Sequence, residues 1–278
     1  MMLKFAHNSL DLKVPKVMGI LNVTPDSFFD GGKYISDENI LARAEQITSE
    51  GASIIDVGGY STRPGASNVT EQVEAARILP AIKLIRTHFP KAIISVDTFR
   101  SSLAEKAVEN GADMINDISG GNMDDKMFEI VGKLKVPYVL MHIKGTPQTM
   151  QVAPKYDDVI AEVSNYFVHR INFAVTKGIE QIIIDPGFGF GKTVEHNFIL
   201  LDQLSEFKRL GFPILAGLSR KSMINKIAGT EKDPSLAGTT AAHTIALRNG
   251  ADILRVHDVK EAIEAIKICS FVKEHEIK

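Results

Sequence analysis

Short runs of apolar and β-branched residues alternate along the chain with longer stretches of helical periodicity. The runs are Val17 to Val23, Ser53 to Val57, Ala92 to Val96, Met114 to Ile118, Tyr138 to Ile143, Gln181 to Ile184, Pro213 to Leu218 and Ile253 to Val256. Each is brief and nearly continuous in hydrophobicity, the pattern of a parallel strand covered on both faces. Between them, Ile40, Leu41, Ala44 and Ile47, or Ile160, Val163, Tyr166, Phe167 and Ile171, recur at the spacing of one helix face. Gly51, Gly111, Gly178, Gly211 and Gly250 each close a helical stretch shortly before a strand, where glycine suits the left-handed exit. Eight strand–helix units in strict alternation, with no Gly/Ser linker, predict an α/β fold: one (β/α)8 TIM barrel over residues 1–278. A doubly wound open sheet is the alternative. Leu3 to Val14 precede the first unit and are predicted to form a small hairpin closing the barrel floor.

Composition narrows the function. With 32 basic against 34 acidic residues the net charge is −2, which excludes a general nucleic-acid binder. The lone Cys269 excludes a disulfide framework and a cysteine-based zinc site. No apolar run approaches the ~18 residues of a bilayer span. The start, Met1 to His7, is broken by polar residues before a signal-peptide core can form. The expectation is a cytoplasmic enzyme without nucleic-acid or membrane partners.

In such barrels the chemistry sits at the C-terminal strand ends. Those positions read Asn22, Asp56, Asp97, Asn116, His142, Asp185, Lys221, and Arg255 with His257. Buried carboxylates and amides are costly unless paired, so a ring of them implies a polar ligand in the mouth. Plainer readings stand beside this one. Asp56 and Asp97 fit as helix N-caps, Asn116 and Asp117 as turn residues, and His142 as a satisfied core histidine. Arg220 and Lys221 open the seventh helix, where cations are disfavoured by the helix dipole, so a ligand-facing role is expected of both. The loops from Thr24 to Gly32 and from Gly58 to Gly65 are rich in Gly, Pro and hydroxyls, and longer than a strand–helix turn needs. They are expected to act as lids.

Familiar motifs fail on inspection. Gly187 to Thr193 resembles a phosphate loop but has Pro186 where that pattern needs glycine, and no histidine pair has zincin spacing. The strand-end groups suit a different chemistry. Asn22, Arg255 and His257 come from the first and last strands, neighbours in a closed barrel. They are placed to grip a phosphate or diphosphate as cationic and amide groups, with Asn22 able to offer an oxygen to Mg²⁺. Asp97, Asn116 and Asp185 are expected to face a flat, amino-bearing heterocycle. Diphosphate would leave a heterocyclic methylene, with the carboxylates stabilising the positive charge that develops.

These residues resemble the dihydropteroate synthases along nearly the whole chain. The match is carried by Gly19 to Phe28, Asp56 to Gly59, Ser61 to Gly65, Val96 to Thr98 and Ile115 to Gly121. It continues through Met141 and His142 with Gly145 to Pro147, then Asp185 to Lys192, Gly217 to Ser222 and Arg255 to Asp258. The resemblance implies a homodimeric barrel joining 4-aminobenzoate to 6-hydroxymethyl-7,8-dihydropterin diphosphate, with sulfonamides as inhibitors. It implies that Asp97, Asn116, Asp185 and Lys221 hold the pterin, and that Asn22, Arg255 and His257 hold the diphosphate. Mg²⁺ is implied near Asn22 and Asp26. Thr62, Arg63, Pro64, Phe190, Lys221 and Ser222 would line the aminobenzoate side. Asp97, Lys221 and Arg63 are implied as the catalytic residues, in a dissociative reaction through a pterin-methyl cation.

Two positions depart from the family pattern: Tyr60 stands where Glu is common, and Phe29 where Ser is common. Three rival functions remain at this point. One is a pterin-binding methyltransferase acting on a corrinoid protein. Another is an aldolase with Lys221 as a Schiff base, and the third is a non-enzymatic pterin binder.

Overall fold

The structure, a computed structural model, describes residues 1–24, 36–60, 69–230 and 235–275. Two short strands, β1 (Met2–Lys4) and β2 (Ser9–Asp11), pair antiparallel as a hairpin. Eight parallel strands follow: β3 (Lys16–Asn22), β4 (Ile54–Gly58), β5 (Ile93–Asp97), β6 (Met114–Asp117), β7 (Tyr138–Met141), β8 (Ile182–Asp185), β9 (Leu215–Ala216) and β10 (Ile253–Val256). They pair in the order β8-β7-β6-β5-β4-β3-β10-β9, and a bridge between Ile184 and Ile214 brings β8 to β9, nearly closing the barrel. The open-sheet alternative is therefore set aside.

The helices are α1 (Asp37–Ser49), α2 (Glu71–His88), α3 (Ser101–Glu109), α4 (Met127–Leu134), α5 (Val159–Thr176), α6 (Val194–Asp202), α7 (Ser222–Ala228), α8 (Leu236–Arg248) and α9 (Val259–Glu274). Strict alternation fails in two places: a 3₁₀ helix (Leu204–Leu210) follows α6, and both α7 and α8 lie between β9 and β10. The seventh strand is also shorter than its apolar run. The proline at 213 has no N–H to give a ladder, so pairing cannot extend through it. The five exit glycines do adopt positive φ, from 80° to 108°.

The interior of the barrel changes character along its axis. At the N-terminal end, Met18, Ile54, Ile93, Met114, Val139, Ile183, Leu215 and Ile253, one from each strand, form an apolar plug with Leu3 and Leu12 of the hairpin segment. The predicted floor is present, and Gln181 fastens it by hydrogen bonds to both the N–H and the carbonyl of Lys4. Side chains alternate in and out along a strand, so the next inward positions are Asp56, Ser95, Asn116, Asp185 and Arg255. Beyond them come Asn22, Asp97 and His257. The outward positions pack against the helices in a separate core that includes Val17, Leu21, Val57, Ile94, Val96 and Leu254.

Candidate active site

Arg255 organises the polar end of the barrel. Its Nε donates to Asp56 Oδ2 at 2.6 Å and its Nη2 to Asp97 Oδ2 at 2.6 Å. Asn116 Nδ2 donates to the same Asp56 oxygen at 3.0 Å, which leaves the Asn116 amide oxygen as the acceptor a ligand would meet. Asp56 is fully buried and its Oδ1 has no hydrogen-bond partner among the described residues, and neither Asp56 nor Asp97 caps a described helix. The caps of α1 and α2 are Ser36 and Thr70, and α3 has no side-chain cap. Arg255 lies on the same inward row as Asp56 and Asn116, deeper than Asn22 and His257. The sequence grouped it with those outer residues because adjacency of strands was legible and depth was not.

Burial sets the charges. Burial pushes the Asp97 carboxyl up to about 7, against the pull of Arg255. Asp185 is also raised by burial, opposed by the Gly187 N–H that it accepts at 2.7 Å and by Lys221. Lys221 is brought down to about 8, first by desolvation and then by Arg255, while Asp185 and Asp97 hold its proton. Its Nζ stands 4.3 Å from the centre of the Phe190 ring. Arg255 itself is held above its ordinary range despite desolvation, because the two carboxylates bind it.

The outer ring differs from expectation at two residues. His257 is not a cation: burial, then Arg255 and Arg220, drive its pKa down to about 3. Ser219 Oγ accepts the His257 backbone N–H at 3.1 Å and lies 3.0 Å from Nδ1. In the tautomer where Nδ1 accepts the hydroxyl proton, Nε2–H is left as a neutral donor. Arg220 forms a two-point pair with Asp258, at 3.0 and 2.6 Å, where the sequence expects it to meet a ligand. Asn22 sits beside Asp97: a Cβ added to Gly58 would lie 3.3 Å from Asn22 Oδ1 and 3.6 Å from Asp97 Oδ2. Ser222 opens α7 next to Lys221 and is exposed.

The plainer readings apply to other residues. Asp117 is a turn residue, accepting from Ser119 N and Oγ, Gly121 N and the Tyr138 hydroxyl. His142 is a satisfied core histidine, edge-on to Tyr166 and 2.9 Å from Lys192 Nζ. Asp26, Phe29, Thr62, Arg63 and Pro64 lie outside the described residues. Tyr60 packs edge-on to Phe99 at 5.3 Å, and its hydroxyl accepts from Gln148 Nε2 at 3.1 Å. It borders an apolar wall of Phe99, Ile118, Met141, Ile143, Met150 and Phe190. A flat ligand would thus find hydrocarbon on one side and polar edges on the other.

Sequence reasoning missed two residues here, Arg43 and Glu74, and the pairing of a third. Asp56 was noted as a strand end, but its pairing was not. Arg43 on α1 donates to the carbonyls of Ile20 and His257, fixing the seam between β3 and β10. Glu74 on α2 is fully buried and binds Thr98 and Arg100 beneath the mouth. Its helix-face position was the only available signal.

Comparison with known proteins places this geometry. Residues 18–257 match the family model for pterin binding enzymes. The chain is 46% identical over 262 residues to dihydropteroate synthase of Escherichia coli K12, spanning 94% of this chain and 92% of that one. Among solved structures, a Yersinia pestis dihydropteroate synthase in a sulfonamide drug complex superposes with a TM-score of 0.93 at 40% identity, covering 99% of this chain and 100% of that one. The Xanthomonas albilineans dihydropteroate synthase with 4-aminobenzoic acid gives 0.89 at 41% identity, covering 99% of each.

Proposed function

This chain belongs to the pterin-binding enzyme family and, within it, to the dihydropteroate synthases, transferases of folate biosynthesis, and on that premise we propose how its barrel mouth works. The reaction joins 4-aminobenzoate to 6-hydroxymethyl-7,8-dihydropterin diphosphate and releases diphosphate. The observation that carries this reading is the cluster in which Arg255 joins Asp56 and Asp97 while Asn116 donates to Asp56.

The dihydropterin lies against the apolar wall. Its ring N–H groups donate to Asp185 and to the Asn116 amide oxygen, and Lys221 donates to a ring acceptor. Asp97 faces the methylene, where its carboxylate stabilises positive charge as the carbon–oxygen bond breaks. Asn22 and the Nε2–H of His257 receive the diphosphate, with Arg255 supplying positive charge from below. A neutral His257 donor holds the leaving group without itself exchanging a proton. The aniline nitrogen of 4-aminobenzoate, beside Phe190, Lys221 and Ser222, then attacks the methylene cation and loses its proton to solvent.

Mg²⁺ belongs to the same reading. Among the described residues no group of three His, Cys, Asp or Glu can hold a metal. The fit is to an ion that takes most ligands from phosphate and water, with the Asn22 amide oxygen as its protein ligand and Asp26 proposed beside it. When bound, Mg²⁺ offsets charge on the departing diphosphate. Thr62, Arg63 and Pro64 are assigned to the aminobenzoate side by family similarity alone.

The test uses the purified protein with dihydropterin diphosphate, 4-aminobenzoate and Mg²⁺. Diphosphate and dihydropteroate should appear together, and a sulfonamide should compete with aminobenzoate. Without aminobenzoate, an oxygen label should scramble between bridging and non-bridging positions of the pterin diphosphate. No product would refute the assignment; product without scrambling would favour direct displacement.

Asp185→Asn should weaken pterin binding by ~1–3 kcal/mol, because one acceptor becomes a donor facing a donor. Asparagine retains an oxygen for the Gly187 N–H, so the loop should survive. Calorimetry with the pterin substrate checks this, and unchanged affinity would place Asp185 outside the pocket.

A homodimer is also proposed. Helix α9 exposes Ile268, Phe271 and Val272 at one helical face, and α8, packed beside it, exposes Ile245. A second copy covering this patch would double the mass measured by light scattering. Among the described residues no helix is long and apolar enough to cross a membrane.

A further inference from the structure

Lys192 is buried, 3% exposed, and is not used by the reaction described above. Its Nζ lies 3.0 Å from the Gly187 carbonyl, 3.1 Å from the Phe190 carbonyl and 2.9 Å from His142 Nδ1. A buried ammonium with no carboxylate in contact is costly, and here burial brings the lysine down to about 7. Three donors meeting three acceptors is what offsets that cost.

The segment it ties is intrinsically loose and lies at the pocket. Gly187, Gly189 and Gly191 all have positive φ, at 71°, 83° and 67°. So many glycines leave the unfolded loop with much conformational freedom to lose. The loop touches the site at three points. The Gly187 N–H holds Asp185, the Phe190 ring lies beneath the Lys221 ammonium, and Gly189 lies against the Lys221 stem. Outer ties exist as well, from Gln151 to the Gly189 carbonyl and from Tyr156 to the Gly191 carbonyl. Lys192 alone, among the described side chains, binds the loop's first and fourth carbonyls together from inside and joins them to the end of β7.

We propose that Lys192 is a positioning residue for the aminobenzoate side of the site: its amine clamps the Gly187–Gly191 loop and so sets where the Phe190 ring stands. It touches no substrate. The inference rests on the reaction proposed above, and it assigns to the buried lysine a share in binding the second substrate.

The experiment compares steady-state constants of wild type, Lys192→Met and His142→Phe. Methionine keeps the stem and removes every donor. The KM for 4-aminobenzoate should rise about tenfold and the inhibition constant of a sulfonamide should rise in step. The pterin diphosphate dissociation constant and kcat should stay within about threefold. His142→Phe removes one acceptor and should shift the same KM about threefold. A lysine that merely stabilises the fold would lower the melting temperature or the active fraction and leave the two substrates equally affected. An unchanged aminobenzoate KM, or equal losses for both substrates, overturns the proposal. If Lys192→Met does not fold, His142→Phe decides by the same criterion. A wild-type protein that makes no dihydropteroate would refute the reaction, not the clamp.

Discussion

Replacing Arg255 with methionine is expected to destabilise the protein by ~3–5 kcal/mol and to abolish measurable turnover, because it leaves buried carboxylates without their counter-charge. Asp56 is fully buried, and its only other hydrogen-bond partner among the described residues is the Asn116 amide. With the guanidinium gone, Asp56 and Asp97 face each other across a desolvated gap, and one of them must take up a proton. Urea denaturation checks the loss. Adding Asp56→Asn to the Arg255→Met background removes one of the stranded charges and should return part of the stability without returning activity. A loss below ~1 kcal/mol would mean that the pairs contribute no more than exposed surface ion pairs do.

Lys221→Ala should have the opposite profile, with the fold nearly intact and catalysis lost. The Lys221 side chain makes no hydrogen bond to a described residue, and its contact with the Phe190 ring is of the kind that contributes ~0.5–2 kcal/mol. Removing one preorganised electrostatic donor from such a site lowers kcat by ~10²–10³-fold. The pH dependence gives a second readout. The ammonium is the active form and its pKa is brought down to about 8 by burial, so wild-type kcat/KM should fall as pH rises through that value. The alanine variant should lack this limb. A variant that unfolds, or that keeps both its rate and the alkaline limb, would remove Lys221 from the proposed role.

Most of the barrel was legible because parallel strands buried on both faces read as unbroken apolar runs, and because helix exits demand glycine. Val163, Phe167 and Ile171 are buried on α5 as their spacing indicates. The floor was legible for the same reason: Leu3 and Leu12 are apolar residues that precede any strand–helix unit. The polar mouth was legible only as a set of strand ends. Which ends meet across the barrel depends on depth and on side-chain reach, and neither is written in local pattern. Thus Arg255 was read beside Asn22 and His257, whereas its long side chain crosses to Asp56 and Asp97 on β4 and β5. The protonation of His257 was hidden as well, because it depends on burial and on nearby guanidinium groups. Lys192 stood in a motif rejected as a phosphate loop, and its inward direction shows only in three dimensions.

The sealed base of the cylinder bears on how this scaffold can change over evolutionary time. Its greasy stopper, built from one residue of every strand together with the leading hairpin segment, shares no member with the ligand-facing tiers. Lineages can therefore retune what the open end recognises while the foundation is inherited unaltered, and protein engineers can regraft the rim without rebuilding the base.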